Sequence, residues 1–79
     1  MYSQLIKLYQ HGDMENFSKI AQTYFEIVDD FEVKNTNRRY MVVKISDKNK
    51  WRYAGFKKQN GKTLKTHLSV NKIDYMDLI

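Results

Sequence analysis

The sequence has no cysteine, no proline and only three glycines in 79 residues. Without cysteine there is no disulfide framework and no cysteine-ligated zinc site, and a reducing, cytoplasmic setting is favoured. Without proline the turns rest on glycine and asparagine. No apolar run approaches the roughly 20 residues of a membrane span, so no membrane partner is expected. Met1 to Gly12 lacks a basic start, a long apolar stretch and a small-residue cleavage site, so it does not read as a signal peptide. Internal repeats and low-complexity tracts are also missing. The length leaves no room for a second core. A chain this short buries about 60–65% of its unfolded surface. A single domain over residues 1–79 is expected, with a stability on the order of 4–8 kcal/mol.

Acidic residues are scarce in the middle of the chain. Residues 34–72 hold twelve cations and a single anion, Asp47, a net of +11. Residues 1–33 carry a net of −4 and residues 73–79 a net of −2, for +5 overall. The chain therefore reads as an acidic helical part (1–33), a basic β part (34–72) and a short C-terminal helix (73–79). Charge of one sign confined to one segment makes a field that points one way.

Groups suited to catalysis are few. His11 and His67 fall on different elements and share no ligand spacing with acids, so no metal site is expected. Asp74 and Asp77 stand one turn apart on a terminal helix, the usual arrangement of a solvated face. Gln59-Asn60-Gly61-Lys62 is a hairpin turn rather than a phosphate-binding loop. No enzyme activity and no cofactor are expected.

What the chain does have is patterned. Hydrophobic content of 42%, with six Tyr, four Phe and one Trp, argues for a folded domain. Tyr2, Leu5, Ile6 and Tyr9 recur at helical spacing and predict a short helix over 2–11, ended by Gly12. Asp13 suits the N-cap of a second helix. Phe17, Ile20, Ala21, Tyr24, Val28 and Phe31 fall on one stripe and predict a long amphipathic helix over 14–31. Asp29 and Asp30 violate its macrodipole, which disfavours anions at a helix C-terminus. Fraying there is the expected resolution, ahead of pairing with Arg38 or Arg39.

From Arg39 the period changes to two. Glu32-Val33-Lys34 offers a short edge strand before a turn at 35–38. Strands are predicted from Arg39 to Ile45, Trp51 to Lys58 and Lys62 to Val70. Asn60-Gly61 is the preferred pair for a two-residue hairpin, since both central residues need φ > 0. Carried through from that turn, the register sets Lys57 opposite Leu64 and Tyr53 opposite Leu68. A three-residue loop at 47–49 sets Ile45 opposite Trp51. Trp51, Tyr53, Leu64, Leu68 and Val70 then form the core face, and Gly55 relieves crowding under the helix. Asn71 caps a final helix over 72–79. The expected class is α+β: two N-terminal helices, short then long, on one face of a three-stranded antiparallel meander, then a short helix.

Such a sheet leaves one face wet. The expected site is that face: Tyr40, Lys44, Arg52, Phe56, Lys58, Lys65 and His67, with Arg38 and Arg39 beside it. Lysine and arginine neutralise phosphates, and aromatic rings stack on unpaired bases. A small nucleic-acid-binding accessory protein, for DNA or RNA, is the leading expectation. The alternative is an exposed aromatic patch ringed by cations that meets an acidic protein surface or a second copy, as in a small phage or mobile-element protein. The element order resembles the double-stranded-RNA-binding domain, a helix followed by a three-stranded meander and a second helix. That family's basic final helix has no counterpart in a segment bearing Asp74 and Asp77. The meander also resembles the small three-stranded sheets that some integrase arm domains place in DNA grooves.

Overall fold

A computed structural model describes residues 1–79. Helix α1 spans Tyr2–His11 and α2 spans Met14–Tyr24. Strands β1 (Glu26–Val33), β2 (Arg38–Lys44), β3 (Tyr53–Gln59) and β4 (Lys62–Ser69) follow, then a 3-10 turn at Tyr75–Leu78. The four strands form one antiparallel sheet in the order β1-β2-β3-β4. The class is α+β, but the sheet has four strands rather than three. No helix is long and apolar enough to cross a membrane.

The helix boundaries follow local chemistry. Gly12 takes the left-handed conformation at φ 73° and closes α1. Asp13 caps α2 by accepting from the Asn16 amide at 3.2 Å. The predicted long helix stops at Tyr24, and Phe25 is already extended. What reads as its last two turns is β1. Asp29 and Asp30 therefore sit on a strand, with no helix dipole to offend. The offered strand at Glu32–Lys34 is thus the end of a longer one.

Two irregularities overturn the predicted register. Asn60 and Gly61 form the expected two-residue turn, at φ 53° and 79°, and Gln59 faces Lys62. A β-bulge then takes up Leu64, so Lys57 faces Lys65 and Ala54, not Tyr53, faces Leu68. At the other end the Ile45 amide donates to the Arg52 carbonyl at 2.8 Å, where Trp51 was expected opposite Ile45. Each slip of one residue exchanges the faces. Phe56 and Ala54 become fully buried core, while Leu64 and Val70 are exposed and Trp51 is half-buried.

Both faces are covered. On the helix face, Leu5, Phe17 and Ala21 pack with Met41, Val43, Ile45, Ala54, Phe56 and Leu68. On the outer face, the segment after β4 folds back and buries Ile73 and Leu78 with Tyr40 and Val42. Gly55 lies under that segment rather than under the helix, and a Cβ there would stand 3.1 Å from Ile73 Cδ1. Asp74, not Asn71, caps the closing turn, which is one 3-10 turn rather than a helix over 72–79.

Candidate nucleic-acid interface

Strand pairing decides which cations share a surface. Residues directly opposite lie on the same face, and neighbours along a strand alternate. By that rule Arg38, Tyr40 and Lys44 of β2 lie on the outer face with Lys57, Lys65 and His67. Arg39, Phe56 and Lys58 lie on the helix face. Arg52 lies just before β3, exposed, at the Ile45 end. The expected single wet face is therefore two half-sets, back to back. Neither Phe56 nor Tyr40 is open for base stacking. Phe56 is core, and Tyr40 is covered by Tyr75, ring centroids 4.6 Å apart and edge-on.

Several of the cations are spoken for. Arg39 donates to Asp30 through Nε at 2.8 Å and through Nη2, a bidentate pair. The guanidinium holds the Asp30 carboxyl below its ordinary value, chiefly through that hydrogen bond. Lys44 pairs with Asp47, and Lys72 pairs with Asp29 at 3.1 Å. The pairing of Asp30 with Arg39 replaces the expected fraying. Lys50 lies over the Trp51 ring, 4.9 Å from its centroid.

Four cations remain together at one corner of the outer face. Lys57 directly opposes Lys65, Arg38 stands one pleat from Lys57, and Lys62 faces Gln59 beside them. None of the four joins a carboxylate ion pair. Lys65 reaches only the Ile79 carbonyl oxygen, at 3.4 Å. The buried Nε of Arg38 has no hydrogen-bond partner. Like charges opposite one another destabilise a sheet, so the corner is held together at a cost.

The corner is built by the turns beside it. Asn35, Asn37 and Asn60 all take positive φ. The β1–β2 turn and the β3–β4 turn are locked together: Asn37 donates to Asn60 Oδ1 at 3.1 Å, and the Asn60 amide donates to the Asn37 carbonyl at 3.2 Å. Glu15 of α2 grips the bulge that sets the register. Its carboxylate accepts from the Thr63 amide at 2.7 Å and from Thr63 Oγ1 at 3.1 Å, while Ser18 and Thr63 hydroxyls meet at 2.7 Å. Neither Glu15 nor Ser18 belongs to the apolar stripe that predicts α2. Lys57 and Lys62 are not among the expected site residues, and the bulge sets Lys57 opposite Lys65.

No group of three or more His, Cys, Asp or Glu is placed to hold a metal ion. Comparison with known proteins finds no matching family model, no matching curated protein and no matching solved structure.

Proposed function

We propose that this protein binds the phosphate backbone of nucleic acid through the corner formed by Arg38, Lys57, Lys62 and Lys65. The observation that carries the reading is the Lys57–Lys65 pair: two cations set directly opposite each other, next to Arg38, with no carboxylate to balance them. A bound phosphate would relieve that repulsion. Lysine supplies point charges rather than a base-reading fork, so the contact positions the protein on a strand without selecting a sequence. With Phe56 and Tyr40 covered, stacking contributes little, and binding is electrostatic.

The test is fluorescence anisotropy with labelled single-stranded and duplex oligonucleotides over a salt series. Four phosphate contacts predict a slope of log K against log salt of about −3. Lys57→Ala with Lys65→Ala should remove roughly half of that slope, whereas Lys7→Ala with Lys19→Ala on the helices should leave it unchanged. No binding at about 50 mM salt, where electrostatic affinity is strong, would rule the reading out. Equal loss in both double variants would also rule it out.

A further inference from the structure

The opposite edge of the sheet has the reverse character. β1 is the last strand on its side and pairs only with β2. Six of its eight residues are exposed. Glu26, Asp29, Asp30 and Glu32 give it four carboxylates; Asp29 pairs with Lys72 and Asp30 with Arg39, whereas Glu26 and Glu32 join no ion pair. A bulge between Ile27 and Asp29 breaks the strand, and Asp29–Val33 runs regularly beyond it. Those five residues span about 17 Å, enough for a short peptide strand.

Beside this stretch on the outer face lies a cavity of about 500 Å³, with Phe31, Tyr40, Val42, Ile73, Tyr75 and Leu78 as its apolar wall and Asp29, Asp30, Lys72 and Asp74 as its charged one. Phe31 is 51% exposed and meets Tyr75 edge-on at 5.1 Å. Tyr75 in turn stands against Tyr40. An aromatic wall thus flanks the open edge on one face. On the other face, Glu32 and the Asp30–Arg39 pair flank it.

We infer that β1 is a docking edge for an extended segment of another protein, added as a fifth strand, that alternates lysine or arginine with apolar side chains. Main-chain hydrogen bonds to the free edge supply the affinity, and pockets on alternate sides supply the selection. One apolar side chain enters the cavity beside Phe31 and Tyr75. Its basic neighbours point to the other face and meet Glu32. The charge of the strand decides the class of occupant. A second copy of β1 would set carboxylate against carboxylate, which is unfavourable. The basic β4 of a second copy would match in charge but is bulged, and its Thr63 amide is already taken by Glu15. That head-to-tail contact would also build an open chain of copies rather than a closed assembly. Nucleic acid is repelled by the strand. The inference does not rest on the phosphate-binding corner, which lies toward the other edge.

The experiment uses a labelled synthetic octapeptide alternating lysine with valine and phenylalanine, titrated against the full chain. Amide resonances are followed by heteronuclear NMR. Binding should shift the amides of Asp29 to Val33 and leave those of β4 in place. Phe31→Ala and Glu32→Lys, both at exposed positions, should each weaken it about tenfold. A peptide with glutamate in place of lysine, or with alternate amides N-methylated, should not bind. Absence of binding at millimolar peptide would overturn the inference. So would equal binding of the N-methylated peptide, which would reduce the contact to charge attraction. Concentration-dependent dimerisation through β1, seen by sedimentation and abolished by Phe31→Ala, would replace the partner strand with a second copy and overturn it too.

Discussion

The two faces of this sheet are closed by different means. Two helices cover one face, and their side chains join a nine-residue buried cluster. Some ten residues with a single 3-10 turn cover the other, and they contribute only Ile73 and Leu78 to a buried cluster of four. Helices bring whole stripes of side chains to a sheet. An irregular segment brings single anchors, so its hold depends on one or two contacts and on a glycine that lets it lie close. The helix face should therefore set global stability. The outer face should open locally, at lower cost.

Substitutions can break that contrast. Phe56→Ala removes the largest side chain that β3 gives to the helix-side core and should cost about 3–5 kcal/mol, most of the stability of so small a domain. Chemical denaturation should show loss of the whole fold. Leu78→Ala should cost about 2–3 kcal/mol but act locally. Hydrogen exchange should rise at Ile73 to Leu78 while Val43 and Ala54 stay protected. If Leu78→Ala unfolds the sheet as fully as Phe56→Ala, the two faces are one cooperative unit and the contrast fails.

A smaller effect tests the clamp between helix and sheet. Glu15→Gln keeps one acceptor for Thr63 and loses the charge and the second oxygen. About 1 kcal/mol should be lost, with amide exchange rising at Thr63 and Lys65. The smallest effect belongs to the Asp30–Arg39 pair. Both side chains are substantially exposed, so Asp30→Asn should cost less than about 1 kcal/mol near neutrality. The sign with pH follows from the lowered Asp30 pKa. Its contribution is present above the ordinary carboxylate range and is lost as pH falls below it, through the folded-state value. The difference between wild type and Asp30→Asn should vanish in acid and should not change above neutral pH.

Much of the fold was legible in single positions with one physical solution. Gly12, Asp13 and Asn60-Gly61 all take the conformations their chemistry demands. The failures share a cause. Tyr40, Met41, Val42 and Val43 are all buried, because both faces are covered. A strand apolar on both sides accepts its neighbour in either parity, so β2 was oriented correctly and β3 was not. Register propagated from a turn is sound only as far as the first bulge, and here that bulge is fixed from outside the sheet, by Glu15. β1 was masked by spacing: Val28 and Phe31 continue the helical stripe of α2. The anomaly at Asp29 and Asp30 marked the misreading, since those anions suit an exposed edge. The lysines and arginines of the expected site all fall on or beside β2, β3 and β4, but their division between two faces was invisible without the bulge.

The clamp at Thr63 also bears on the order in which the protein comes into being. Each strand pairs with its neighbour in sequence, so hairpins close through loops of a few residues as the chain emerges. The helices are made first, yet their partners come last: Glu15 and Ser18 wait for Thr63, and the Tyr2 hydroxyl waits for the Trp51 amide, 49 residues on. On a ribosome, α1 and α2 therefore spend the middle of synthesis with Leu5 and Phe17 uncovered. In that interval the net charge of residues 1–33, −4, stands without the basic strands still to come.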